Sequence, residues 1–300
     1  MSNLNIKLSH ADQPTIRTQF LIFTLFGEYV LERGGSIWTS DLLYLMEMLD
    51  VGEQATRSIL SRMTRKDWIV PHKQGRHSQY SLTSRGRDLL QRGKRRIFEP
   101  IITEWDGKWQ MIVYSLPENK RHQRHALRTQ LRWLGFGCLA PGIWISSHDP
   151  SVEIKDILTE LEIAPHVQHF AGEFLGTTSN ESLVYRCWDL EGLETQYRDF
   201  IEHFMPAYQA CQMQIIENRP PDPAECFVRL FWLTYEFQSF PLKDPNLPTS
   251  LLPDNWIGFS ARKLFESYHT FLAHHANAFV DDVIAGRQKI HPSQVHGELL

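Results

Sequence analysis

The stretch DVGEQATRSILSRMTRKDWIVPHKQGRHSQYSL, residues 50–82, decides how the first third of the chain is read. Its first half is helical. From Glu53 to about Lys66, Ala55, Ile59, Leu60 and Met63 fall on one side at three- and four-residue spacing, and Gln54, Arg57, Ser58, Ser61, Arg62 and Arg65 on the other. Asp50 stands three residues before Glu53 and predicts a capping box at the helix start. Its second half holds two short runs, WIVPH at 68–72 and SQYSL at 78–82, around KQGRH at 73–77, which predicts a hairpin with a basic, glycine-containing tip.

Toward the N-terminus, Pro14 opens TIRTQFLIFTLFGEYVLER, in which Ile16, Phe20, Phe23, Phe26, Val30 and Leu31 recur at helical spacing until Gly34 and Gly35 end the run. Ser36-Ile37-Trp38 fits a short strand, and Thr39 or Ser40 caps a second helix with Leu42, Leu43, Leu45, Met46 and Leu49 inward. A further helix from Ser84 to about Phe98 is rich in arginine. Three helices followed by a basic hairpin predict a winged helix-turn-helix over residues 14–98.

An α-helix fits the major groove of B-DNA. Gln54, Arg57, Ser58 and Ser61, on one face near the helix start, are of the types that reach base edges, since arginine pairs bidentately with guanine and glutamine with adenine. Arg62, Arg65 and Lys66 suit phosphates, while Lys73, Arg76 and His77 at the hairpin tip suit the backbone or the minor groove. The plain alternative is a solvated helix with ordinary surface charge. Charge distribution weighs against it: residues 52–97 hold 12 Lys/Arg and 3 Asp/Glu, whereas residues 141–300 hold 10 and 22. The net charge of −4 therefore conceals a basic segment suited to a polyanion.

Downstream, WQMIVYS at 109–115 reads as a strand ended by Leu116-Pro117. An amphipathic helix follows, with Ala126, Leu127, Leu131 and Leu134 inward and Arg121, Arg124, Arg128 and Arg132 largely outward. Residues 138–140 and 142–146 pair through Pro141-Gly142, a short helix covers 152–161 and a last strand 166–174. This β-α-β-β-α-β order predicts a ferredoxin-like central domain over 105–180, with both helices on one sheet face. From Asp189, Leu190, Leu193, Tyr197, Phe200, Ile201 and Phe204 form a helical stripe that Pro206 is expected to kink or interrupt. Two more helices, about 223–240 and 260–284, flank a proline-rich loop. The fold class is thus multidomain α+β, with a C-terminal helical domain over 185–286.

A chain of 300 residues exceeds what one hydrophobic core organises, and 42% hydrophobic with 22% charged residues argues against disorder. Cys138, Cys187, Cys211 and Cys226 form no C-x-x-C pair, which argues against a disulfide-stapled secreted fold. The first residues lack the apolar core of a signal peptide, and FLIFTLFG at 20–27 is too short to cross a bilayer; a cytoplasmic protein without membrane association is expected. GxGxxG, P-loop, HExxH and GxSxG motifs are all absent. His122/His125 and His166/His169 stand at i,i+3, one pair in an arginine-rich helix and the other in an expected strand, where solvated or capping histidines account for them. No metal site and no cofactor are expected. Arg121, Arg124 and Arg128 at a helix start suit a phosphorylated effector as well as they suit solvent, and Tyr114 and Trp144 read either as its stacking wall or as core aromatics.

Three stretches resemble the PaaX family of transcriptional regulators: WQMIVYSLPENKRHQRHALRTQLRWLGFGCLAPGIWIS at 109–146, CWDLEGLETQYRDFIEHF at 187–204 and DPNLPTSLLPDNWIGFSARKLF at 244–265. The resemblance spans about 15–285. It implies a homodimeric repressor of aromatic-acid, phenylacetate-type catabolic genes, with double-stranded operator DNA as partner. It also implies release by an aryl-CoA thioester such as phenylacetyl-CoA, whose phosphates suit the arginine cluster. The family's middle domain is similar to the small nucleases of CRISPR adaptation, in which an aspartate ends the first strand. Ser115 holds that place here and is a poor ligand for a divalent cation, so no enzyme activity is expected. A transcriptional activator or dual regulator of the same architecture is the second reading. A metal-dependent nuclease or thioesterase is the third, motivated only by the fold likeness and the CoA reading.

Overall fold

The computed structural model describes residues 14–98, 104–241 and 243–286, with side chains from Phe20 onward. They form a mixed α+β protein with two small antiparallel sheets. Residues 14–98, 203–236 and 263–286 make one compact unit, and residues 104–202 and 237–262 another. The segment 185–286, read from sequence as one helical domain, contributes to both. Among the described residues no helix is long and apolar enough to cross a membrane.

The first unit begins with α1 (Pro14–Leu25), which passes into a π-helical turn (Phe26–Val30) and a 3-10 turn (Leu31–Arg33) before Gly34, at φ 87°, ends it. β1 (Ser36–Trp38), α2 (Thr39–Glu47), α3 (Glu53–Arg65), β2 (Ile69–Gln74), β3 (His77–Leu82) and α4 (Ser84–Phe98) follow. β3 lies between β1 and β2, pairing Ser36 with Ser81 on one side and Ile69 with Leu82 on the other. The expected Thr39 or Ser40 side-chain cap on α2 does not form. Thr39 instead bonds Ser78 across to β3 (2.9 Å), and Gly52, not Asp50, holds the N-cap place of α3 while Asp50 turns the chain at φ 60°. The inward stripe of α3 is Thr56, Ile59, Leu60 and Met63, with Ala55 exposed. Thr56 tolerates burial because its hydroxyl donates to the Gly52 and Val51 carbonyls (3.2 and 3.4 Å).

The second unit carries β4 (Trp109–Tyr114), α5 (Arg121–Trp133), β5 (Gly137–Ala140), β6 (Ile143–Ser146), α6 (Ser151–Glu160) and β7 (Val167–Gly172). Strand order is β5-β6-β4-β7 with every pair antiparallel, the expected ferredoxin-like arrangement. Ile112 and Tyr114 of β4, Trp144 of β6 and Val167 of β7 pack against Leu127 and Leu131 of α5 and Ile154 and Ile157 of α6, so both helices cover one sheet face. α7 (Asn180–Cys187) has no counterpart in the sequence reading. Eight residues are too few for a clear stripe; its signal is Ser179, whose hydroxyl accepts from the Ser182 amide at 3.2 Å.

α8 (Leu190–Ile216) continues through Pro206 rather than breaking there, with Phe200 and Phe204 buried before it and Cys211 after it. α9 (Pro223–Phe237) and α10 (Ile257–Ile284) complete the chain's helices among the described residues. Within the second unit, Tyr197 of α8 stacks on Phe240 at 4.2 Å and its hydroxyl donates to Asp244 at 2.6 Å. Within the first unit, the C-terminal helices brace the two turns that follow α1. Tyr29 lies against Phe227 of α9 (ring centroids 5.2 Å), which in turn lies against Phe279 of α10 (5.5 Å). Arg33 donates to Asp281 (2.8 Å) and Asn277 Oδ1 (2.9 Å), and Glu28 meets His269 Nε2 at 2.8 Å. Leu21, Ile22 and Leu25 of α1 and Phe26, Tyr29 and Val30 of the turn after it are buried, while Phe20, expected inward, is 39% exposed. Ile16 lies outside the described side chains.

Candidate nucleic-acid interface

Burying Ile59, Leu60 and Met63 turns the opposite face of α3 to solvent, and Gln54, Arg57, Ser58, Ser61 and Arg65 are all exposed there. Arg57 is held by an exposed ion pair one turn back, its Nε 2.7 Å from Glu53 Oε1. Such a pair is worth about 0.3–0.5 kcal/mol, so a stronger acceptor displaces it readily. Glu53 is the feature of this face that a search for basic residues overlooks. Arg62 is half-buried, and its Nε is enclosed without a hydrogen-bond partner. Lys66, at the helix end, lies over the Trp68 ring at 4.5 Å, and Trp68 meets Phe23 of α1 edge-on at 4.7 Å.

The β2–β3 hairpin pairs Gln74 with His77, leaving Gly75 and Arg76 as a two-residue loop with Gly75 at φ 62°. Lys73, Arg76 and His77 are exposed, and the His77 ring meets Trp38 edge-on at 6.1 Å. The root of the hairpin is fixed more firmly than its tip. Thr83 donates to the Asp67 carbonyl (2.7 Å), and a Cβ on Gly86 would overlap the Trp68 carbonyl oxygen, so only glycine allows α4 to pass this close to the backbone leading into β2. Two basic side chains of α4 tie the unit together: Arg87 Nη2 donates to the Gly34 carbonyl (3.2 Å) and Lys94 bonds Glu32 (2.6 Å), which holds the Glu32 carboxyl below its usual value. Arg85, Arg92 and Arg95 remain exposed.

The residues expected to face an effector are not gathered into one open site. Tyr114 and Trp144 stand in the core under α5 and α6 and form no exposed wall, and Trp144 Nε1 is enclosed without a partner. The Arg132 guanidinium lies 5.4 Å over the Trp144 ring. Arg124 Nη2 is spent on the loop after β4, donating to the Leu116 carbonyl (2.9 Å), the Pro117 carbonyl and Glu118. Arg128 is half-buried with its Nε enclosed, and Arg121 alone of the three is fully exposed. Of the histidine pairs, His122 and His125 are exposed on α5, while His169 of β7 meets Gln110 at 3.0 Å.

Residues 17–86 match the family model described as PaaX-like protein, residues 103–184 that of the PaaX protein central Cas2-like domain, and residues 188–282 that of the PaaX-like protein C-terminal domain. The Escherichia coli (strain K12) protein named transcriptional repressor PaaX is 32% identical over 287 residues, covering 94% of this chain and 89% of that protein. Among solved structures, uncharacterized protein Rv0674 from Mycobacterium tuberculosis shares the fold, with a TM-score of 0.60 at 21% identity over 88% of this chain and 99% of that one. Since the models follow one another along almost the whole chain and the identity extends equally far, the protein belongs to the PaaX family.

Proposed function

We propose that this protein is a transcriptional repressor of phenylacetate-type catabolic genes, binding operator DNA through a winged helix-turn-helix formed by residues 14–98. The observation that carries the reading is the exposed row Gln54, Arg57, Ser58 and Ser61 on α3, followed in the chain by a hairpin whose exposed tip holds Lys73, Arg76 and His77. α3 enters the major groove, where Gln54, Arg57, Ser58 and Ser61 read base edges. Arg62, Arg65 and Lys66 meet phosphates, and the hairpin is the wing on the backbone. The repressor named among its relatives supports the sign of regulation. The working form is a homodimer on two half-sites spaced by whole helical turns, and an aryl-CoA thioester releases it. Arg121 and Arg128 are the side chains of the α5 cluster left to meet the effector's phosphates, because Arg124 is occupied by carbonyls.

The protein acts as a regulator and not as an enzyme. At the end of β4 the exposed Ser115, whose amide donates to the His166 carbonyl (3.2 Å), offers no carboxylate for a catalytic cation. A titration of the full chain against the promoter next to its gene tests the whole reading, repeated with phenylacetyl-CoA and with phenylacetate. Release by the thioester and not by the acid is expected. Binding indifferent to promoter sequence, or sustained hydrolysis of the thioester, overturns it.

A further inference from the structure

The ferredoxin-like sheet has a second face, which α5 and α6 leave uncovered. Met111 of β4 is paired in register with Ile145 of β6 and with Phe170 of β7, so these three side chains lie abreast on that face. Around them Trp109, Leu139, Phe174 and Leu183 of α7 help line a cavity of about 220 Å³. Its back wall is fixed. The Trp109 indole donates to Asn180 Oδ1 (2.9 Å), and its ring lies between those of Trp105 and Trp188, at 5.1 and 6.1 Å. Its mouth is open, with Phe170 51% exposed.

The chemistry of the lining selects the ligand. An apolar cavity of about 150 Å³ takes up benzene, so this one has room for a phenyl ring and the carbon that carries it. Aromatic edges and a thioether favour a flat, polarizable group. Glu173 is the one charged residue of the lining and disfavours an anion inside. We propose that this cavity holds the aryl group of the effector, with the thioester and nucleotide end outside the mouth. The placement rests on the effector reading above and moves the aromatic wall from Tyr114 and Trp144 to the opposite face of the same sheet.

Gly172 supplies the test, because it lines the cavity and a Cβ built on it meets nothing within 4 Å. Gly172 stands opposite Trp109 in the β4–β7 ladder, on the cavity's face of the sheet, so Gly172→Phe adds a ring at the cavity from a position whose Cβ is unobstructed. Calorimetric titration of the full-length chain with phenylacetyl-CoA should show affinity falling about tenfold or more, the worth of burying one apolar ring. Circular dichroism checks that the variant is folded. Phe170→Ala, which removes one exposed wall, should weaken binding about threefold to tenfold and guards against misfolding of the first variant. Equal affinity of wild type and both folded variants overturns the cavity and leaves the effector reading standing. Absence of thioester binding by the wild type overturns both.

Discussion

Arg57→Ala is expected to relax the preference for one base pair in each half-site while leaving affinity for unrelated DNA almost intact. Arg57 sits at the end of the first turn of α3, exposed, with its only ion pair among the described residues to Glu53 at 2.7 Å. A bidentate arginine–guanine contact supplies about 1–3 kcal/mol of discrimination. Giving up an exposed i,i+4 pair costs about 0.3–0.5 kcal/mol, so guanine wins the arginine. The difference, about 0.5–2.7 kcal/mol, corresponds to a loss of about 2-fold to 100-fold on the preferred operator. Glu53→Gln should leave the base preference in place, since it removes only the exposed partner that Arg57 gives up on binding. Fluorescence anisotropy against the operator and a set of single-base variants, over several salt concentrations, reads both effects. Arg76→Ala supplies the contrast: it should weaken all duplexes alike and flatten the slope of log K against log salt by about 0.9. If Arg57→Ala lowers affinity by the same factor on every base variant, α3 does not read bases through this residue.

Gly86→Ala should destabilise the first unit by about 1–3 kcal/mol, because its Cβ overlaps the Trp68 carbonyl; an unchanged denaturation midpoint would show that the β2–α4 junction yields instead. A fragment ending at residue 98 should fail to fold, since Phe26, Tyr29 and Val30 lose the cover that includes Phe227; a dispersed amide spectrum from that fragment would refute the bracing argument. Burial pushes the Cys187 thiol up to about 11 and the Cys226 thiol to about 12, so both should resist alkylation at neutral pH and react once the chain unfolds. Because these values lie above the unfolded one, the stability the thiols contribute is whole below about pH 8.5 and is lost as pH rises through 11 to 12. Rapid labelling of the native chain would contradict this.

The central sheet was legible because each of its signals is local. Pro141-Gly142 marks the hairpin, with Gly142 at φ 83°, and the apolar stripe of α5 is short enough to read within one helix. The burial of Tyr29 in the turn after α1 was not legible, since Phe227, which packs on it, lies about two hundred residues away on α9. The open sheet face did leave a trace. WQMIVY has an apolar residue at five of six positions, the pattern of a strand with apolar demands on both faces, whereas a strand buried on one face alternates. The core accounts for Ile112 and Tyr114, and the cavity for Trp109 and Met111.

Arginine shows where composition stops being informative. An excess of basic residues in 52–97 establishes the sign of the local field, which depends on charge count and distance alone. What each guanidinium does depends on the acceptors within its reach, and those come from the fold. Arg33 is bound to Asp281 and Asn277, Arg87 to a glycine carbonyl and Arg124 to two carbonyls and Glu118, so all three serve the fold. Arg57 gives up only an exposed carboxylate that water replaces at small cost, and Arg76 stands exposed on a hairpin tip. The same residue type therefore divides by what it must abandon in order to bind: Arg57 and Arg76 abandon little, as do the exposed Arg85, Arg92, Arg95 and Arg121, and of these Arg57 and Arg76 stand on the helix and hairpin proposed to meet DNA.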